Sequence, residues 1–139
     1  MIKIVHLDQQ PAFTPSAMGK IASFENQILP DDAPKEVVLE EIKDAKYVIS
    51  GSKRLEEKHF KVASNLKAVV LPSAGYDYVD VESANRYGVY VVNSPGANAN
   101  AVAEMAIGLM LAVARNIPQS YTSVREGKWI NEEIRIIRS

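Results

Sequence analysis

No cysteine occurs in the 139 residues, which excludes disulfides, thiolate nucleophiles and cysteine-ligated metals together. Neither sign of charge is in excess: sixteen basic residues face seventeen acidic ones, for a net charge of -1. With no Lys/Arg cluster interleaved with aromatics, this balance argues against nucleic acid or an anionic membrane as partner. Histidine is scarce. His6 falls in or beside the first apolar run, as a core or edge residue would, and His59 falls in a polar helix, where solvation is expected. Neither has a neighbour at metal-ligand spacing, so no metal site is expected. Gly-x-Gly occurs nowhere, so the chain carries neither a dinucleotide fingerprint nor a P-loop. The Gly-x-Ser-x-Gly elbow is missing too. The longest apolar stretch, Ala101 to Ala114, is interrupted by Glu104 and is shorter than the ~20 residues of a membrane span. Met1 to Leu7 is too short and too interrupted for a signal peptide, and a cytoplasmic location is expected.

What remains is an ordinary globular composition, 47% apolar and 24% charged, enough for one domain with a real core. Ile2, Ile4, Val5 and Leu7 predict a first strand. A weak helix over Ser16 to Ser23 and a short strand over Asn26 to Leu29 follow. Asp31 and Asp32 stand where a helix N-cap is wanted, with Pro34 just inside. Val38, Ile42 and Ala45 then recur at helical spacing. Further strands are predicted at Tyr47-Val48-Ile49, Leu66 to Leu71 and Val89 to Val92. Helices are predicted at Leu55 to Ala63 and from the Asp80 cap through Tyr87. The strands are nearly continuous apolar runs alternating with helices, the pattern of an α/β protein with a parallel sheet covered on both faces.

The helix from Ala101 to Ala114 is apolar almost all round, so it should be buried on most sides. Gly108 at its middle weakens it by ~1 kcal/mol relative to alanine, which suggests close backbone packing there. A chain of this size has little material to cover such a helix. A partner is implied: a second domain, a second subunit, or both. Beyond Arg115 the sequence turns amphipathic, with Tyr121, Val124 and Trp129, and an apolar run spans Ile134 to Ile137.

Ligands of open parallel sheets bind outside the carboxyl ends of the strands. Three loops leave such ends here: Ser50-Gly51-Ser52-Lys53, Ser73-Ala74-Gly75-Tyr76-Asp77, and Asn93-Ser94-Pro95-Gly96-Ala97-Asn98. In the middle one, Ala74 and Gly75 put no bulk over amides that could accept a carboxylate. A plain turn explains the same triplet. In the third, Pro95-Gly96 fits a type II turn, and Asn98 or Asn100 would cap the apolar helix. Two readings fit: plain capping of the helix, or an Asn side chain and free helix amides that face a ligand.

Read together, these loops resemble the D-isomer-specific 2-hydroxyacid dehydrogenases. The resemblance rests on Leu66 to Val70 followed by Ser73 to Asp80, then Gly88 to Asn98, then Val102-Ala103-Glu104. Arg115-Asn116-Ile117-Pro118 and Arg125-Glu126-Gly127-Lys128-Trp129 follow in the family's order. It implies a flavodoxin-like substrate domain over residues 1–97. Residues 98–139 would form a helical interdomain and dimerisation segment leading to an NAD-binding domain. It implies that Ser52, Ser73, Ala74, Gly75 and Asn98 meet a small 2-hydroxy or 2-oxo acid, with Ala74 and Gly75 offering amides to its carboxylate. Asn98, Asn100 and Val102 would face NAD or NADP, and the Ala101–Ala114 helix would form a homodimer interface.

The family's catalytic Arg, Glu and His would lie beyond Ser139, as would its glycine-rich fingerprint. The chain is thus expected to be the N-terminal portion of an NAD(P)-dependent oxidoreductase, truncated before the fingerprint and inactive alone. The alternative is a non-enzymatic oligomerising or interaction module derived from this family. A receiver-like domain is weaker, since only Asp8 is placed for an acidic pocket at strand ends.

Overall fold

The computed structural model describes residues 1–9 and 15–128. Among the described residues, strands and helices alternate up to β5 and two helices follow: β1 (Lys3–His6), α1 (Pro15–Lys20), β2 (Glu25–Ile28), α2 (Lys35–Glu41), β3 (Tyr47–Ile49), α3 (Glu57–Val62), β4 (Ala68–Val70), α4 (Val81–Arg86), β5 (Tyr90–Val92), α5 (Ala99–Ala114) and α6 (Ile117–Arg125). The strands form one parallel sheet in the order β2-β1-β3-β4-β5, with Val5 paired to Val48, Val48 to Val69 and Val69 to Val91. The α/β expectation holds. Trp129 and the Ile134 to Ile137 run lie outside the described residues. Backbone contacts divide the chain into two compact units, Met1–Ala97 and Asn98–Ser139.

In the first unit the order explains the layers. The chain steps outward from β1 to β2, then back across β1 to β3, and onward to β4 and β5. Right-handed crossovers therefore put α1 on one face and α2, α3 and α4 on the other. Val5, Val48 and Val69 from the sheet centre pack with Ile42 and Phe60 from the covering helices, each of them 0–1% exposed. Burying such side chains is the main favourable term in folding.

Local signals explain most boundaries. The Asp80 carboxylate accepts the Ser83 N–H at 2.9 Å and caps α4, and Gly88 follows its end at φ 68°. Hydrogen bonds from Ser83 hold the Asp80 carboxyl below its usual range. Two expectations fail on neighbouring contacts. α2 begins at Lys35 after an extended Pro34, with no side-chain cap, because the Asp31 carboxylate is turned to the Gln9 N–H at 2.8 Å. His59 is buried, not solvated. Its Nδ1 accepts the Glu56 N–H at 2.9 Å, so it takes the role Glu or Gln holds in a capping box at the start of α3. Burial pushes its pKa down, which keeps the ring neutral near pH 7.

In the second unit α5 has no buried residue within the chain: Met105 is 64% exposed and Val113 67%. The cover expected for this helix is thus not supplied by the described residues. Among the described residues a Cβ at Gly108 would meet nothing within 4 Å, so they supply no close packing at that glycine either. Asn116, in the left-handed region at φ 49°, turns the chain between α5 and α6, which bend by 60°. Among the described residues no single helix is long and apolar enough to cross a membrane.

Phe60 is the largest of the fully buried side chains. We expect Phe60→Ala to cost about 3–5 kcal/mol in urea denaturation of the purified chain. A loss below about 1 kcal/mol would show that the α3 face of the core is not packed as described.

Candidate functional site

Three loops meet at the carboxyl edge of the sheet in the first unit, and side chains tie them together. Winding reverses between β1 and β3, and ligands of such sheets bind at that switch point. Here Asp8, leaving β1, fills it. Its buried carboxylate accepts the Gly51 N–H at 3.0 Å and the Ser52 N–H at 3.0 Å, with Ser52 Oγ at 3.4 Å. The amides after β3 therefore already hold an anion from within the chain. Among the described residues no His/Asp/Glu group is arranged to hold a metal ion. Asp8 is thus a brace, not part of an acidic pocket.

The loop after β3 is tied in turn to the loop after β4. Ser50 is fully buried and its Oγ accepts the Lys53 N–H at 3.1 Å. The Tyr78 hydroxyl donates to Ser73 Oγ at 2.8 Å and lies 3.4 Å from the Ser50 carbonyl. Ser73 Oγ donates to the Gly75 carbonyl at 2.9 Å. From β5, Asn93 Nδ2 donates to the Ala74 carbonyl at 2.7 Å, and the Ser94 N–H to the Ser73 carbonyl at 2.9 Å. Gly96 takes φ 77°, the left-handed value that the Pro95-Gly96 turn requires.

The consequence falls on Ala74 and Gly75. Both carbonyls are taken from inside, while among the described residues no atom accepts either N–H. Gly75 is not at positive φ, and a Cβ there would meet Asp77 Oδ1 at 3.4 Å, an ordinary contact. Neither backbone conformation nor crowding within the chain calls for glycine at this position. What the edge offers chemically is a pair of N–H donors on a braced loop with no acceptor among the described residues, suited to a carboxylate.

The predicted residues thus divide. Ser52, Ser73, Ala74 and Gly75 stand in the braced loops of the first unit, with the Ser52 amide engaged by Asp8. Asn98, Asn100 and Val102 stand in the second unit, at the start of α5. Asn98 is the N-cap residue, but its side chain makes no capping hydrogen bond, so plain side-chain capping is not its role. Asp8, Tyr78 and Asn93 were missed as site-building residues. The signal for Asp8 was its place just after the first strand.

A family described as D-isomer specific 2-hydroxyacid dehydrogenase, catalytic domain, matches residues 7–136. A D-3-phosphoglycerate dehydrogenase of Methanocaldococcus jannaschii is 45% identical over 97 residues, covering 68% of this chain and 18% of that enzyme. The solved 3-phosphoglycerate dehydrogenase of Entamoeba histolytica, with NAD+ bound, is 36% identical with a TM-score of 0.68, covering 82% of this chain and 39% of that one. An acyclic imino acid reductase solved with NADPH and D-Arg shares the fold, with a TM-score of 0.85 at 24% identity over 95% of this chain and 43% of its own. The chain therefore spans less than half the length of each.

Hydrogen bonds to a charged acceptor contribute about 1.5–3 kcal/mol each. Removing the carboxylate with Asp8→Ala should speed hydrogen exchange at the Gly51 and Ser52 amides by about tenfold or more, with β4 amides little changed. Unchanged exchange at both amides would show that Asp8 does not brace the loop.

Proposed function

The chain belongs to the D-isomer specific 2-hydroxyacid dehydrogenase family, and on that premise we propose that it is the substrate-holding part of an oxidoreductase acting on the CH–OH group of small D-2-hydroxy acids. The observation that carries this reading is the Ala74–Gly75 backbone, with its carbonyls held and its amides open. The two amides take the carboxylate of a 2-hydroxy or 2-oxo acid. Ser73 fixes the loop, and Ser52, whose amide and hydroxyl are both turned to Asp8, borders the site and holds its neighbouring loop in place. The first unit is the substrate domain and the second an interdomain and dimerisation segment.

NAD or NADP supplies the hydride in such a reaction, and Asn98, Asn100 and Val102 are the residues we assign to its nicotinamide end. They do not by themselves make a dinucleotide site, because the 139 residues contain no glycine-rich phosphate turn. The uncommitted Asn98 side chain fits a polar contact to cofactor or substrate and nothing more extensive. Holding both reactants in register is much of the catalysis in this class. The residues present supply one side of that register, so the chain alone is inactive.

Two measurements test this. Titrating glyoxylate, the smallest 2-oxo acid, into the isotope-labelled chain should shift the Ala74 and Gly75 amide signals saturably, while NADH oxidation stays at background. Turnover above background overturns the inactivity, and unmoved amides overturn the carboxylate site.

The exposed α5 favours a second element of the proposal, a homodimer through this helix. Association buries apolar surface that otherwise faces water. Light scattering should give twice the chain mass, and Met110→Lys should return it to the monomer. A monomeric wild-type chain would overturn this interface. Self-association with no glyoxylate response would instead favour a non-enzymatic interaction module.

A further inference from the structure

In the first unit a cavity of about 280 Å³ lies between the segment that starts α2 and the segment that leads into α3. Leu7, Ala33 and Val38 give it an apolar wall. The rest of its lining is unusual for a chain whose net charge is -1. Lys35, Lys53, Arg54 and Lys58 all face it, against the single carboxylate of Glu56. Counting those five side chains, the lining carries a net charge of +3.

These cations differ in how far they are neutralised. Glu56 is shared, 2.9 Å from Lys58 and 3.5 Å from Arg54, so one carboxylate serves two cations. The hydrogen bond from Lys58 holds the Glu56 carboxyl below its usual range, so it counts as one full negative charge and no more. Lys53 is steadied by a hydrogen bond from its ammonium to the Asp31 carbonyl, a neutral partner that leaves its charge uncompensated and ties the α2 side of the cavity to the α3 side. Lys35 has no ion pair among the described residues. His59 also lines the cavity. Its Nδ1 is engaged by the Glu56 backbone, so the ring serves the start of α3. None of Ser52, Ser73, Ala74 and Gly75 lines this cavity.

We propose that this cavity binds a small dianion of the phosphate or phosphate-monoester class. A single carboxylate would leave most of the local charge unmatched. A phosphate carries about -1.5 to -2 at neutral pH and three strong acceptor oxygens, which several converging N–H donors can share. The volume, just below the ~300 Å³ at which drug-sized ligand sites begin, suits a compact metabolite and is too small for a nucleotide. The apolar wall would take the carbon body of an ester. The lining comes from the segments that follow β1, β2 and β3, apart from the switch point that Asp8 fills. It stands on its own charges and does not depend on the oxidoreductase reading.

The test uses the whole chain and inorganic phosphate as probe, at constant ionic strength, followed by amide chemical shifts. Saturable shifts are expected at Lys35, Lys53, Arg54 and Lys58, with acetate binding at least about tenfold more weakly. The exposed pair Lys35→Glu and Lys58→Glu should weaken phosphate about tenfold or more, with an unchanged circular dichroism spectrum showing that the fold is kept. Binding of glycerol 3-phosphate at the same amides, tighter than inorganic phosphate, would identify an ester site; equal binding would identify a free-phosphate site. Shifts that do not saturate, that acetate reproduces, or that survive both substitutions mean an adventitious ion only and overturn the proposal. Shifts centred on Ala74 and Gly75 instead would also overturn it, while leaving the carboxylate site standing.

Discussion

The reversal of winding between β1 and β3 leaves a crevice at the carboxyl edge of any sheet ordered this way, and backbone amides there want an acceptor. In this protein a single carboxylate supplies it. Asp8 is buried, and it can stay so because Gly51 and Ser52 donate to it. The three-way contact fixes the loop after β3 without needing a ligand. From that fixed loop the order propagates outward: Ser50 holds Tyr78, Tyr78 meets Ser73, and Asn93 reaches Ala74 from the far side. Ser50 is held separately, its N–H donating to the Val70 carbonyl and its Oγ accepting from Lys53, so Asp8 fixes the part of the loop that follows it.

That chain of contacts explains where a small anion can and cannot go. Binding at Gly51 and Ser52 would require displacing an internal carboxylate already satisfied by strong hydrogen bonds. One loop further along the edge the polarity of the arrangement is reversed. Side chains from Ser73 and Asn93 take the carbonyls and leave the N–H groups pointing at no acceptor within the described residues. Preorganised donors cost little to order when a ligand arrives, because the ordering has been done in folding. The bracing residues therefore serve the fold and the site at once.

The inner strands were legible because they are short apolar runs flanked by Gly, Pro or charge, and Tyr47–Ile49 and Tyr90–Val92 fall inside the runs that predicted them; β2, Glu-Asn-Gln-Ile at the sheet edge, has no such run. The α4 cap at Asp80 was legible because its acceptor lies three residues from its donor. What stayed hidden depends on residues far apart in the chain. Asp8 and Gly51 are separated by 43 positions, Ser50 and Tyr78 by 28, and nothing in local spacing pairs them. His59 was misjudged for a related reason. Its neighbours Glu57, Lys58 and Lys61 are polar, but its own position is the inward-facing third residue of the helix, where the Glu56 amide and the core meet. The loop Ser73 to Asp77 was found from its pattern, yet the pattern could not say which backbone groups were free. That needed the partners from β5.

The second unit poses the opposite problem. Its helix α5 has no side-chain network to explain it, only an apolar surface: Val102, Met105, Leu109 and Val113 are each more than half exposed. At roughly 25 cal/mol per Å² of apolar area, covering even a few such side chains is worth several kcal/mol. Covering need not come at Gly108 first, since a side chain placed there meets no atom within 4 Å. A surface that brings another helix close would convert that open space into the tight approach that favours glycine over alanine despite its helix penalty. Local chemistry thus accounts for the first unit from within, through Asp8 and the loops it braces. Among the described residues no such contacts account for the composition of α5.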